Sequence, residues 1–146
     1  MSKIYDFRDA LKSHIVDANI GLDETDVIIE RQADIMTNIN TVVAKVDGNG
    51  VALTIGAARG RHVNPKSVRS LSFDVTFKIQ LWVLPIYDQS KKAEEDIFEP
   101  LVRLLHGAQI GDSPHCSQTL HVEDFEDVPD PGFLLREITL TNSIHI

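Results

Sequence analysis

His115, Cys116 and His121, with Glu123 and Asp124 just beyond, are the densest set of reactive side chains in the chain. Imidazole, thiolate and carboxylate are the groups that zinc takes as ligands, but the spacing here matches no zinc signature. A strand from Gln118 to Glu123 would place His121 and Glu123 on one face, with His115 and Cys116 at its start. As a nucleophile, Cys116 would need a positioned base and a depressed pKa. Adjacency in sequence does not aim the His115 imidazole at the thiol, and the local acids oppose a thiolate. The group reads more simply as exposed loop and strand polar residues beside a small, partly buried cysteine. No metal and no cofactor is expected.

Other arrangements that carry chemistry are missing. The glycine-rich spots, Asp47-Gly48-Asn49-Gly50 and Gly56-Ala57-Ala58-Arg59-Gly60, contain no Gly-Lys-Ser/Thr phosphate loop and no G-x-G-x-x-G fingerprint. There is no G-x-S-x-G nucleophile elbow. Glu94, Glu95, Asp96 and Glu99 resemble paired carboxylates, yet their place near the start of a helix is explained by the helix dipole. The chain is not expected to be an enzyme.

Charge is more informative. The chain has 146 residues and a formal charge of −8, which disfavours general binding to nucleic-acid phosphates. That charge is unevenly spread. Val51 to Phe73 holds no Asp or Glu, but carries Arg59, Arg61, Lys66 and Arg69 with His62 beside them. Ala93 to Glu137 holds eleven acids and only two bases, Arg103 and Arg136. Complementary patches of this kind steer association and fix its register. Arg59, Arg61, His62, Lys66 and Arg69 are candidates for a subunit interface. Glu123, Asp124, Glu126 and Asp127 are candidates for a partner-binding acidic patch. Uneven charge on solvated loops is the plainer alternative.

These patches must be positioned by a chain with 42% apolar and 25% charged residues, an ordinary globular balance. A single cysteine excludes an intrachain disulfide and fits a reducing compartment. No apolar run approaches the roughly 18 residues of a membrane span. The N-terminus lacks the apolar core of a signal peptide.

Ile4, Phe7, Leu11, Ile15 and Ala18 recur at helical spacing, with Ser2 as a cap and Gly21 as a stop. Val27 to Ile29 predicts a short strand. Thr41 to Val46 and Val51 to Ala57 predict a hairpin around Asp47–Gly50. Gly56 to Ser70, with two glycines and a proline, predicts a long loop. Leu71 to Leu84 alternates strictly enough to predict a long strand that projects beyond the core. Trp82 and Leu84 break its polar face, so both faces are expected to be covered near its end. A second helix is expected from Lys91 to His106. Pro100 either kinks it or starts a second short one, Arg103 and His106 favour the dipole in its last turn, and Gly107 stops it. Gln118 to Glu123 and Leu134 to Ile146 complete the strands. The order predicts one α+β domain: a mainly antiparallel sheet with two principal helices packed on one face.

This layout resembles the tail terminator proteins of long-tailed bacteriophages and their prophage relatives. The resemblance rests on an N-terminal helix opening Met-Ser-Lys-Ile-Tyr-Asp-Phe-Arg-Asp-Ala-Leu, the hairpin around Asp47 to Gly50, and the long loop. It also includes the strand Leu-Ser-Phe-Asp-Val-Thr-Phe-Lys-Ile-Gln-Leu-Trp-Val-Leu, the helix Ala-Glu-Glu-Asp-Ile-Phe-Glu-Pro-Leu-Val-Arg-Leu-Leu, and the closing Leu-Arg-Glu-Ile-Thr-Leu. The family has no catalytic motif, and Pro100 and the acidic Glu123 to Asp130 stretch have no counterpart in its pattern.

The resemblance implies a structural protein forming a hexameric ring that ends tail-tube growth and offers a head-joining surface. Its implied partners are other copies of itself, the tail tube protein and a head-completion or neck protein, with no specific nucleic-acid sequence and no membrane; it would give Arg59, Arg61, His62, Lys66 and Arg69 contacts to a neighbour or to the tube, and turn Glu123, Asp124, Glu126 and Asp127 towards a central channel. It would lie in the bacterial host cytoplasm during assembly and then in the virion tail. The alternatives are a head-completion, neck or contractile-injection-particle component, and a small cytosolic ligand-binding module or enzyme.

Overall fold

The computed structural model describes residues 3–29, 50–63, 65–66, 72–83, 93–110, 116–128 and 134–145. Helix α1 (Lys3–Asp17) opens the chain. Phe7, Leu11 and Ile15, four residues apart, make its buried stripe. Two residues past its end, Asn19 takes a left-handed φ of 54°, the conformation that commonly terminates a helix.

Among the described residues five strands follow: β1 (Val27–Ile29), β2 (Val51–His62), β3 (Ser72–Val83), β4 (Cys116–Val128) and β5 (Leu134–His145). Their order across the sheet is β1-β2-β3-β5-β4. The β1–β2 pair is parallel and the other three are antiparallel. Before β4, a π-helical stretch (Ala93–Phe98) runs into helix α2 (Glu99–Leu105). Phe98 keeps helical angles at the junction, φ −65° and ψ −53°. Pro100 therefore opens the α-helical segment, at a position where its missing N–H breaks no helical hydrogen bond.

Both helices pack on the same face of the sheet. Val75, Phe77, Ile79, Leu81 and Val83 of β3 join Leu53, Ile55, Leu120, Ile138 and Leu140 from the neighbouring strands. Against them lie Phe7, Leu11 and Ile15 of α1, with Ile97, Phe98, Leu101 and Leu105 of the second helical unit. The Phe7 and Phe77 rings stack with centroids 5.0 Å apart. Each fully buried side chain of this size stabilises the fold by about 1.5–3 kcal/mol. The protein is thus α+β, with a mainly antiparallel sheet and its two helices on one face.

Several sequence expectations need correction. The Gly56–Ser70 segment is not a loop throughout, because β2 continues to His62. Its glycines mark strand irregularities instead. The register slips between Ile55 and Ala58, which is the bulge that glycine in a strand often signals. A Cβ built on Gly60 would lie 3.6 Å from the Phe73 ring. Val63 N–H donates to the Ser72 carbonyl at 2.9 Å, extending the ladder one step further.

β3 does not project as a lone arm. It is paired with β2 on one side and β5 on the other along nearly its whole length. Burial on the helix side fades beyond Val75, where β2, β3, β5 and the start of β4 are all still paired, so it is a four-stranded end of the sheet that outruns the helices. The strand expected at Gln118–Glu123 is longer, reaching Val128 and taking in most of the acidic stretch. Antiparallel pairing with β5 satisfies that backbone, and charged side chains are at home on an edge strand. Thr41–Val46 and Asp47–Asn49 of the expected hairpin lie outside the described residues, as do Ser2, Leu71 and Leu84.

Candidate functional site

Paired positions define rows across the sheet face opposite the helices. Arg61, Asp74 and Ser143 form one row, and Arg59, Thr76, Thr141 and His121 the next. Lys78, Thr139 and Asp124 follow, then Thr54, Gln80, Glu137 and Glu126. The last row, Ala52, Trp82, Leu135 and Val128, is apolar. Ala52 and Leu135 are buried there, so both faces are covered at that end, as Trp82 led the sequence to suggest.

A polar network crosses the middle of this face. Trp82 Nε1 donates to Thr54 Oγ1 at 3.2 Å, and Thr54 Oγ1 donates to Gln80 Oε1 at 3.2 Å. Gln80 Nε2 donates to Glu137 Oε2 at 3.1 Å, and Lys78 Nζ reaches Glu137 Oε1 at 3.0 Å. The Gln80 hydrogen bond, helped by Lys78, holds the Glu137 carboxyl below its usual pKa against the opposing effect of burial. Glu137 raises Lys78 in return, through its hydrogen bond and its charge, with smaller contributions from Glu126 and Asp124. Those two acids therefore share the face with Lys78.

The basic candidates divide. Arg59 and Arg61 are exposed, two residues apart on this outer face of β2. His62 points to the opposite face, where its ring stacks on Phe73 at 5.0 Å. Lys66 is exposed in a turn, and Arg69 lies outside the described residues.

The acidic candidates divide as well. Asp124 and Glu126 stand on the outer face of β4. Glu123, at the second irregularity in β4, accepts a hydrogen bond from Thr141 Oγ1 at 2.9 Å. Asp127 pairs with Arg136, on the helix side of the sheet. The four acids are therefore not one patch.

The thiol and histidine group cannot be assembled. His115 and the side chain of Cys116 lie outside the described residues. His121 is exposed, and its ring lies 5.9 Å from that of His106. Among the described residues no cluster of three or more His, Cys, Asp or Glu could hold a metal ion. No described helix is long and apolar enough to cross a membrane. A cleft of about 250 Å³ is lined by Asp74, Thr119, His121, Glu123, Thr141 and Ser143. Its two carboxylates already accept hydroxyl hydrogen bonds, Asp74 from Ser143 at 3.0 Å and Glu123 from Thr141.

Two residues matter more than their sequence positions implied. Arg8 is buried in the α1 stripe and donates from Nη1 to the Gly56 carbonyl at 3.1 Å, tying the helix to the β2 bulge. The signal for this was a cation between apolar Ile4 and Leu11 at helical spacing. His106 caps α2 in an extended conformation rather than extending its last turn. Its Nδ1 accepts the Val122 N–H at 3.1 Å. Gly107 N–H donates to the Leu120 carbonyl and Leu120 N–H to the Ala108 carbonyl, both at 2.8 Å. Residues 106–108 thereby shield the outer edge of β4 from Leu120 to Val122.

No known family model matches this chain, and no curated protein matches it. Fold and surface define its class: an α+β protein whose sheet presents one polar face, basic at the β2 margin and acidic at the β4 margin.

Proposed function

We propose that this protein is a structural subunit of a homo-oligomeric, hexameric ring in a phage or prophage tail. The ring ends growth of the tail tube and offers a surface for head joining. The observation that carries the reading is the segregation of charge on the exposed sheet face. Arg59 and Arg61 of β2 stand on one side of it, and Asp124 and Glu126 of β4 stand on the other, with β3 and β5 between them. A subunit with two different, complementary margins suits repeated contact around a circle. The resemblance in size, element order and sequence texture to tail terminators supplies the biological setting.

The test is addition of the purified protein to growing tail tubes in vitro. The reading expects tubes capped at one end by a ring, with elongation stopped. Tubes that elongate normally, with no protein at their ends, would remove the tail assignment.

A further inference from the structure

We infer that successive copies meet head to tail through the two sides of the polar sheet face, Arg59 and Arg61 of β2, past the stretch that the short edge strand β1 covers, on one copy facing Asp124 and Glu126 of the edge strand β4 on the next. This inference rests on the ring reading above and names the surfaces that close the ring.

Three observations support it. Each margin is uniform in sign: β2 contains no Asp or Glu, and β4 contains no Lys or Arg. All four side chains are exposed and stand on the same sheet face. The margins are separated by β3 and β5, a distance of roughly 14 Å at normal strand spacing. That gap lies beyond the Debye length of about 8 Å at physiological salt, so within one copy the two margins barely compensate each other.

Charge then selects which surfaces pair. A two-fold contact of β2 margin with β2 margin opposes arginines, and a contact of β4 with β4 opposes carboxylates. Only β2 against β4 brings opposite charges together. Used in one direction from copy to copy, that contact is heterologous, the kind that builds rings.

The edge of β4 fits this role in a further respect. Residues 106–108 shield it from Leu120 to Val122. From Glu123 to Val128, no described strand or helix segment pairs with its outer side. An unpaired edge is an adhesive surface, and acids along it restrict which strand may approach. Asp127 takes no part, because it stands beside Arg136 on the opposite, helix side of the sheet.

The experiment uses two variants of the full chain. The first is Arg59→Glu with Arg61→Gln, where glutamine avoids a like-charge pair with Asp74, the cross-strand neighbour of Arg61. The second is Asp124→Lys with Glu126→Lys. Circular dichroism confirms that each is folded, and light scattering gives the mass of each alone and of an equimolar mixture. Wild-type protein should assemble, with affinity falling as salt rises. Each variant alone should lose assembly by at least tenfold in concentration. The mixture should regain it, because each variant's altered margin matches one margin of the other.

Variants that assemble as wild type does, or a mixture that stays dissociated, would overturn these contacts while leaving the ring itself standing. Wild-type protein that assembles neither in solution nor on tail tubes would overturn the ring, and the contacts with it.

Discussion

Arg136 and Asp127 face each other across β5 and β4, with the guanidinium Nε 2.8 Å from the carboxylate. Arg136 also lies over two aromatic rings, 4.3 Å from the Phe98 centroid and 5.0 Å from that of Phe125. The two rings meet edge to face at 5.1 Å. A cation that interrupts the apolar series of β5 thus closes the rim of the core, where the second helical unit meets the edge strand.

Arg136→Ala should cost about 1–3 kcal/mol, through lost cation–π contact and lost packing of the arginine stem. Asp127→Asn should cost under about 1 kcal/mol, because the Asp127 side chain is 74% exposed and its ion pair is solvent-screened. Urea unfolding of both variants measures the difference. Equal losses would mean that the ion pair, and not the ring contacts, carries the stabilisation.

Arg8→Met should destabilise the fold by about 1–3 kcal/mol, although methionine suits an apolar helix stripe. The cause is the buried Gly56 carbonyl, left without its Nη1 donor. Amide exchange in β2 near the bulge should quicken more than in β5. A uniform change across the sheet would argue against a local tie between helix and bulge.

Glu137 links stability to acid. Its carboxyl pKa is lowered in the folded protein, so the contribution is fully present above the ordinary value of 4.5. That contribution is lost as pH falls through the lowered, folded-state value. Glu137→Gln should therefore reduce stability at neutral pH and flatten the acid limb of the stability curve. Chemical denaturation between pH 7 and pH 3 tests this. An unchanged acid limb would show that the Gln80 and Lys78 contacts contribute little.

His106→Phe keeps a ring at the end of α2 but removes the acceptor for Val122 N–H. Exchange of that amide should rise by about tenfold, the equivalent of one ordinary hydrogen bond. Amides of Ile138 and Leu140, one strand inward, should change little. Equal acceleration of all three would mean that His106 supports the whole sheet margin.

Much of the fold was legible because burial imposes a period. Phe7, Leu11 and Ile15 declared a helix, and Val75 to Val83 declared a strand with one buried face. Local irregularity was harder to read. Gly56 and Gly60 look like loop residues, yet in place they are a bulge and a close approach to Phe73 inside a continuous strand. Glu123 to Asp127 look like a solvated run, yet an edge strand tolerates charge while its backbone is paired on one side. Arg59 and Arg61 could be read as a pair, since residues two apart share a strand face once the strand is known. The separation of Asp127 from Asp124 and Glu126 depends on strand parity and on Arg136, nine residues along the chain from Asp127. Periodicity places His106 in the last helical turn, whereas the chain turns there, at the C-cap, to meet β4.

The most direct test of the central claim is the mass of the purified protein by light scattering over a dilution series, paired with electron microscopy of tail tubes incubated with it. The account predicts a closed oligomer of fixed size, six copies, either free in solution or seated on tube ends. A monomer at every concentration that also leaves the tube ends bare would contradict it.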